Sequence, residues 1–159
     1  MAYLVDGHNL IPKVRGLSLK LMDDENALMD LLQDFCRARR KRVEVYFDGA
    51  PAGRSGTQRM GLVLAHFVRI SSSADDAIAA RLRRMGGEAR NWSVVSSDRR
   101  VQSEARAAGA SVISSEAFAA DLQAALMESG EERADAKTMS ENELNAWLDL
   151  FSKGKNKNW

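Results

Sequence analysis

Residues 3–7 read YLVDG, three apolar positions running straight into an aspartate and a glycine. A short apolar run closed by turn formers marks a strand buried on both faces, as in a parallel sheet. The same cadence recurs along the chain. Val43 to Phe47 is a second such run and ends on Asp48-Gly49, while Trp92 to Val95 ends on Ser96-Ser97-Asp98. His66 to Ile70 reads as a strand between these two, and Ser111-Val112-Ile113 as a fifth.

Helical periodicity fills the intervals. From about Glu25 to Arg40, Leu28, Leu31, Leu32 and Phe35 fall on one face of a 3.6-residue repeat. A helix from about Ala74 to Met85 buries Ile78, Leu82 and Met85, can be capped by the serines at 71–73, and stops at Gly86-Gly87. A short Ala-rich helix leads to Gly109, and a further one carries Phe118, Leu122 and Leu126. Strands alternating with helices predict an α/β fold of three layers, a mainly parallel central sheet flanked by helices.

Other stretches read differently. Ala50 to Gly61, rich in glycine with a proline, suggests a mobile loop. The domain is expected to span 1–128 and to be followed by a polar, acidic linker at 129–139. Residues 140–159 then form a C-terminal helix and basic tail, expected to pack on the domain. That helix opens with a capping box, Ser140 with Glu143, and carries the apolar stripe Leu144, Trp147, Leu148 and Phe151.

A chain of 159 residues suits one domain with a sizeable core. The single cysteine, Cys36, cannot form an internal disulfide, fits a reducing compartment, and sits in a helical pattern as a core residue. The first residues lack the basic segment and apolar run of a secretory signal, and no apolar stretch approaches the roughly 20 residues that span a bilayer. These features predict a cytoplasmic protein with no membrane partner. The net charge is only +1, yet the charges are patchy. Arg37, Arg39, Arg40, Lys41 and Arg42 form one basic run, and Arg81, Arg83 and Arg84 another. Such patches permit an anionic partner.

Ligands of open parallel sheets bind outside the carboxyl ends of the strands. There the first strand delivers Asp6, with Asn9 one turn on; the second delivers Asp48, the third leads to Asp75 and Asp76, and the fourth to Asp98. Carboxylates converging on one crevice repel each other unless a cation lies among them. Oxygen-only donors suit Mg²⁺ or Mn²⁺, and the chemistry that follows is in-line displacement at phosphorus. Each acid also has a local explanation: a strand-ending turn for Asp6 and Asp48, a helix first turn for Asp75 and Asp76, an N-cap for Asp98. His8 reads as an exposed turn histidine beside the cluster, and His66 as half-buried strand. No Cys/His spacing suggests zinc, and no glycine-rich phosphate loop is present.

The pieces YLVDGHNLI (3–11), VYFDG (45–49), SSSADDAIA (71–79), VVSSDRRVQ (94–102) and SENELNAWLDLF (140–151) together resemble the NYN branch of PIN-like nucleases, and within it the YacP-like proteins. The resemblance implies divalent-metal-dependent endonucleolytic cleavage of RNA, and a connection with messenger RNA on ribosomes. Carried over by position, it implies metal-binding, catalytic acids at Asp6, Asp75, Asp76 and Asp98, with Asn9 and Asp48 orienting the site. His8 stands where the family often has tyrosine.

RNA would be held mainly by its phosphates. Arg99 and Arg100 follow Asp98 directly, Arg54 and Arg59 lie on the glycine-rich stretch after Asp48 and could close over a strand of RNA, and Ser96 and Ser97 could add hydroxyl contacts. A catalytically silent RNA- or ribosome-binding module and a DNA-directed nuclease of the same fold are the alternatives. An aspartate-based phosphotransfer domain fits poorly, because the first strand ends Asp6-Gly7-His8 rather than Asp-x-Asp.

Overall fold

The computed structural model describes residues 2–14, 17, 24–50, 53 and 55–138. In chain order its elements are β1 (Ala2–Asp6), α1 (Gly7–Leu10), α2 (Asp24–Arg39), β2 (Arg42–Ala50), β3 (Gly56–Met60), β4 (Val63–Arg69), α3 (Ala74–Met85), β5 (Trp92–Val95), α4 (Arg99–Ala108), β6 (Ser111–Ile113) and α5 (Ser115–Thr138). The sheet runs β3-β4-β2-β1-β5-β6, parallel throughout except for β3, which is antiparallel to β4. The α/β fold with a mainly parallel sheet between helices is therefore as the sequence predicts.

Alternation along the strands assigns the two faces. Ala2, Leu4, Tyr46, Trp92 and Val94 pack with Ile78, Leu82 and Met85 of α3 and Val101 and Ala105 of α4. On the other face Tyr3 meets Phe35 of α2 and Phe118 of α5, ring centroids 5.7 and 5.3 Å away, and those two rings lie 5.1 Å apart. Cys36 is fully buried beside them in α2 and free, a core thiol as read from the sequence.

Three local features depart from the sequence reading. The expected loop before Gly61 contains β3, and a two-residue Gly61-Leu62 turn joins it to β4. Gly61 sits at φ +59, where a Cβ would collide with the Gln33 side chain. That side chain in turn accepts from the Leu62 N–H at 3.1 Å. The glycine that looked like loop filler is a hairpin turn residue. Next, β2 does not stop at Asp48. It continues to Ala50 through a register shift, with Gly49 at φ +78, so Asp48 stands on a bulge that re-aims its side chain. Finally, the polar stretch expected to be a linker is helical as far as Thr138. Its alanines, glutamates and lysine are strong helix formers uninterrupted by proline, and intrinsic propensity prevails over polarity there.

The chain divides into two compact units, Met1–Ala125 and Leu126–Trp159. The capping box and apolar stripe expected at 140–159 lie outside the described residues. Among the described residues no helix is long and apolar enough to cross a membrane.

Candidate active site

β1 is central, with β2 on one side and β5 on the other, so the strand order reverses beside it. The turns after β1 and β5 therefore open onto one crevice at the carboxyl edge of the sheet. Asp6 ends β1 there and is 6% exposed. Its Oδ2 accepts from the Ser96 hydroxyl at 3.2 Å. Burial, the charge of Asp75, and further out those of Asp48 and Asp98 push the Asp6 carboxyl up to about 6, against the pull of the Ser96 bond.

The other acids come from separate elements. Asp75 lies in the first turn of α3, whose N-cap is Ser73: its hydroxyl accepts from Asp76 N–H at 3.1 Å. Burial and the charges of Asp98 and Asp48 raise the Asp75 carboxyl, with Arg100 opposing them. Asp98 is the N-cap of α4, its Oδ1 accepting from the N–H groups of Arg100 and Val101 at 2.8 and 3.3 Å. Its N–H donates to Ser96 Oγ at 3.1 Å. The cap engages one oxygen of the carboxylate, Oδ1. Asp6, Asp48, Asp75 and Asp98 thus share one electrostatic neighbourhood.

Asp76 is placed differently. It is exposed and accepts a 2.5 Å bond from Arg100 Nη2, which holds its carboxyl below the ordinary range. The two residues join α3 to α4 at the rim.

Asn9 is a structural hinge of the site. Its Oδ1 accepts from Ser97 N–H at 2.8 Å and from the Ser115 hydroxyl at 2.6 Å, tying α1 to the turn after β5 and to the start of α5. Ser97 Oγ donates to Glu116 at 2.6 Å and accepts from Ser115 N–H, and Lys13 lies 3.3 Å from Glu116. Asp48 is held by His8, whose Nδ1 is 2.7 Å from it while Nε2 is 2.5 Å from Glu25. Burial works against the charged imidazole, but the two carboxylates overcome it and raise its pKa.

Several site readings change accordingly. His8 is a half-buried, doubly paired histidine, not an exposed turn residue. Glu25, Ser115 and Glu116 belong to the site's framework, and no local motif in the sequence marks them. Ser96 is fully buried between Asp6 and Asp98, so it positions acids and cannot reach substrate. Ser97 is engaged within the protein. Arg59 sits on β3 opposite Leu64, in the strand row of Glu44 and Leu4, two positions before the row of Asp6 and Tyr46. Three strand spacings, about 14 Å, separate it laterally from β1, so it does not close over the crevice. Arg99 is exposed at the start of α4, beside Asp98, as expected. Arg54 lies outside the described residues.

Among the described residues, no three Asp, Glu, His or Cys side chains form a ready cage for a metal ion. The donor chemistry nevertheless fits a hard divalent cation. Mg²⁺ keeps several waters and is bound through one or two carboxylates, and the buried Asp6 carboxyl has the charges of Asp75, Asp48 and Asp98 around it.

The three-layer α/β fold, with acids gathered beyond the carboxyl ends of its central strands, agrees with a PIN-like domain of nuclease type. The chain belongs to the family of the YacP-like NYN domain, matching it over residues 3–159. It is similar in structure to the crystal structure of Rae1 (YacP) from Bacillus subtilis, with a TM-score of 0.70 and 21% sequence identity, covering 99% of this chain and 95% of that one. The W164L mutant of the same protein gives 0.70 and 22%, covering 92% and 89%. None of the curated proteins matches this chain.

Proposed function

We propose that this protein is a divalent-metal-dependent endoribonuclease working at the crevice around Asp6. The observation that carries the reading is the buried Asp6 carboxyl, surrounded by the charges of Asp75, Asp48 and Asp98 and shifted to about 6. Asp6, Asp75 and Asp98 would hold Mg²⁺ or Mn²⁺, with Asp76 available at the rim once released by Arg100. The ion, when bound, would offset the charge of the phosphodiester and acidify a water for in-line attack.

The chain's own residues do the rest. Ser96 fixes Asp6 and the Asp98 backbone together, so two acids from distant segments keep one spacing. Asn9 fixes the turn that carries Ser96, Ser97 and Asp98. His8 and Glu25 hold Asp48 at the crevice margin, and Arg99 offers a cation to a phosphate near Asp98. The family resemblance suggests messenger RNA on ribosomes as the substrate setting, and the cytoplasm as the place of action.

The test is incubation with Mn²⁺ and matched RNA and DNA oligonucleotides, using wild type, Asp6→Asn and Asp98→Asn. Internal cleavage of RNA that disappears in both variants while binding persists is the expected result. Cleavage of DNA alone would make the enzyme a DNA-directed nuclease. Binding without cleavage by the wild type, with or without metal, would leave a silent binding module.

A further inference from the structure

The acidic edge is a poor place for a polyanion to gain affinity. Its own cations are largely committed: Arg100 to Asp76, Lys13 to Glu116, and His8 to Asp48 and Glu25. The opposite edge, where the parallel strands begin, has the reverse character. Ala2, Arg42 and Trp92 share a row there, four residues before that of Asp6, or roughly 13 Å along the strands.

Two connections that were separate basic runs in sequence meet on this edge. The turn from α2 into β2 brings Arg40, Lys41 and Arg42, while the last turn of α3 and the 3₁₀ turn after it bring Arg84 and Arg90. All are exposed except the half-buried Lys41. The guanidinium of Arg42 lies 5.6 Å from the Trp92 ring centroid, and that of Arg81 lies 5.5 Å from it. Stacking restricts Arg42 while leaving it exposed, which reduces the ordering needed on contact with a ligand. The acids nearby are Glu88 in the 3₁₀ turn, the buried Glu44, which is taken up by Arg81 and His66, and Asp34, which pairs with Arg37 at 3.6 Å. Favourable interaction with a helix C-terminus explains Arg84. It does not explain Lys41 just before a central strand or Arg42, which opens it.

We infer that this strand-start edge is a second RNA-binding surface, a tether for the RNA phosphate backbone, separate from the acidic crevice. The inference rests on the proposed function only for the choice of RNA as ligand. Arginine dominates the patch, and its planar fork matches phosphate oxygens. Neutralised phosphates release counterions, so binding there must weaken steeply with salt.

The experiment measures binding by fluorescence anisotropy, in EDTA, of an RNA hairpin of about 20 base pairs, its DNA counterpart, and phosphatidylglycerol vesicles. The proteins are Asp6→Asn alone and Asp6→Asn with Lys41→Glu and Arg84→Glu. The double reversal is expected to weaken hairpin binding at least tenfold near 0.1 M salt and to lower the slope of log K against log salt by about 2. With Asp6 intact, the same reversal should leave cleavage of a six-nucleotide RNA unchanged. Circular dichroism checks that the variants fold. Equal hairpin binding by both proteins overturns the inference, as does binding to vesicles but to neither nucleic acid, or preference for the DNA hairpin. If the wild type cleaves nothing yet the reversal still abolishes hairpin binding, the catalytic reading fails and the tether stands.

Discussion

Asn9 and Ser97, 88 positions apart, are joined by a 2.8 Å hydrogen bond from the Ser97 backbone N–H to Asn9 Oδ1. The bond locks the turn after β1 to the turn after β5, the two turns that carry Asp6 and Asp98. The same oxygen takes the Ser115 hydroxyl. One amide thus sets the relation of three elements around the acids.

Replacing Asn9 with alanine leaves the Ser97 backbone N–H and the buried Ser115 hydroxyl without their acceptor. The expected cost is about 1–3 kcal/mol of stability, measured by urea denaturation. A loss of RNA cleavage larger than the loss of folded protein should accompany it.

Asp6 gives a pH dependence with a definite sign. Its carboxyl rises from 3.8 to about 6 in the fold, so between these values the folded state binds more protons than the unfolded one. Stability from this group is present at low pH and is lost as pH rises through about 6, by about 3 kcal/mol. In EDTA, the melting temperature at pH 5 should exceed that at pH 7. Asp6→Asn should raise the value at pH 7, flatten the profile and abolish cleavage. A wild-type profile matching that of the variant would contradict the burial and repulsion described.

Metal and proton compete for that carboxylate, so the midpoint for Mn²⁺-induced thermal stabilisation should move to lower concentration as pH rises from 5 to 7. Differential scanning fluorimetry across that range checks it, with Asp6→Asn as the insensitive control.

Glu44 has the opposite sign. Burial would raise its carboxyl, but hydrogen bonds from His66 and a two-bond pairing with Arg81, both 3.0 Å, hold it down at about 2. The stability it contributes is present above the ordinary 4.5 and is lost as pH falls toward 2. Arg81→Met leaves the buried Glu44 carboxylate with His66 and Tyr46 but without its two-bond charged partner, and removes a stacking partner of Trp92. The expected loss is about 3 kcal/mol, with acid unfolding starting at higher pH, followed by far-ultraviolet circular dichroism.

Gly7 allows α1 to turn tightly off β1. A Cβ there would lie 2.4 Å from the Phe47 ring and 2.9 Å from the Tyr46 carbonyl oxygen. Gly7→Ala should therefore destabilise by about 1–3 kcal/mol, read as a lowered denaturation midpoint.

The strands β1 and β5 and the helices α3 and α4 were legible in sequence because a single local signal governs each. The strands are apolar runs ended by turn residues, α3 is bounded by Ser73 and Gly86, and α4 by Asp98 and the left-handed Gly109. The acids were legible for the same reason, since strand ends fix which edge they occupy. What escaped depends on contacts between distant segments. His8 with Glu25, Asn9 with Ser115, and Ser96 between two aspartates are pairings that no spacing announces. The hairpin at Gly61 was missed because glycine marks a mobile loop and a tight turn equally well. Arg59 was misplaced with it: once β3 forms, register rather than nearness in sequence decides what an arginine faces.

The indole of Trp92, with the guanidinium groups of Arg42 and Arg81 over its ring, has a practical consequence. The chain's other tryptophans, Trp147 and Trp159, both lie near its end. With those two changed to phenylalanine, emission would arise from one fluorophore rooted at the start of β5, in contact with both basic connections. The protein then carries its own optical gauge: a spectral change on adding nucleic acid would report from the strand-start edge, and a red shift on denaturation would report the opening of the sheet.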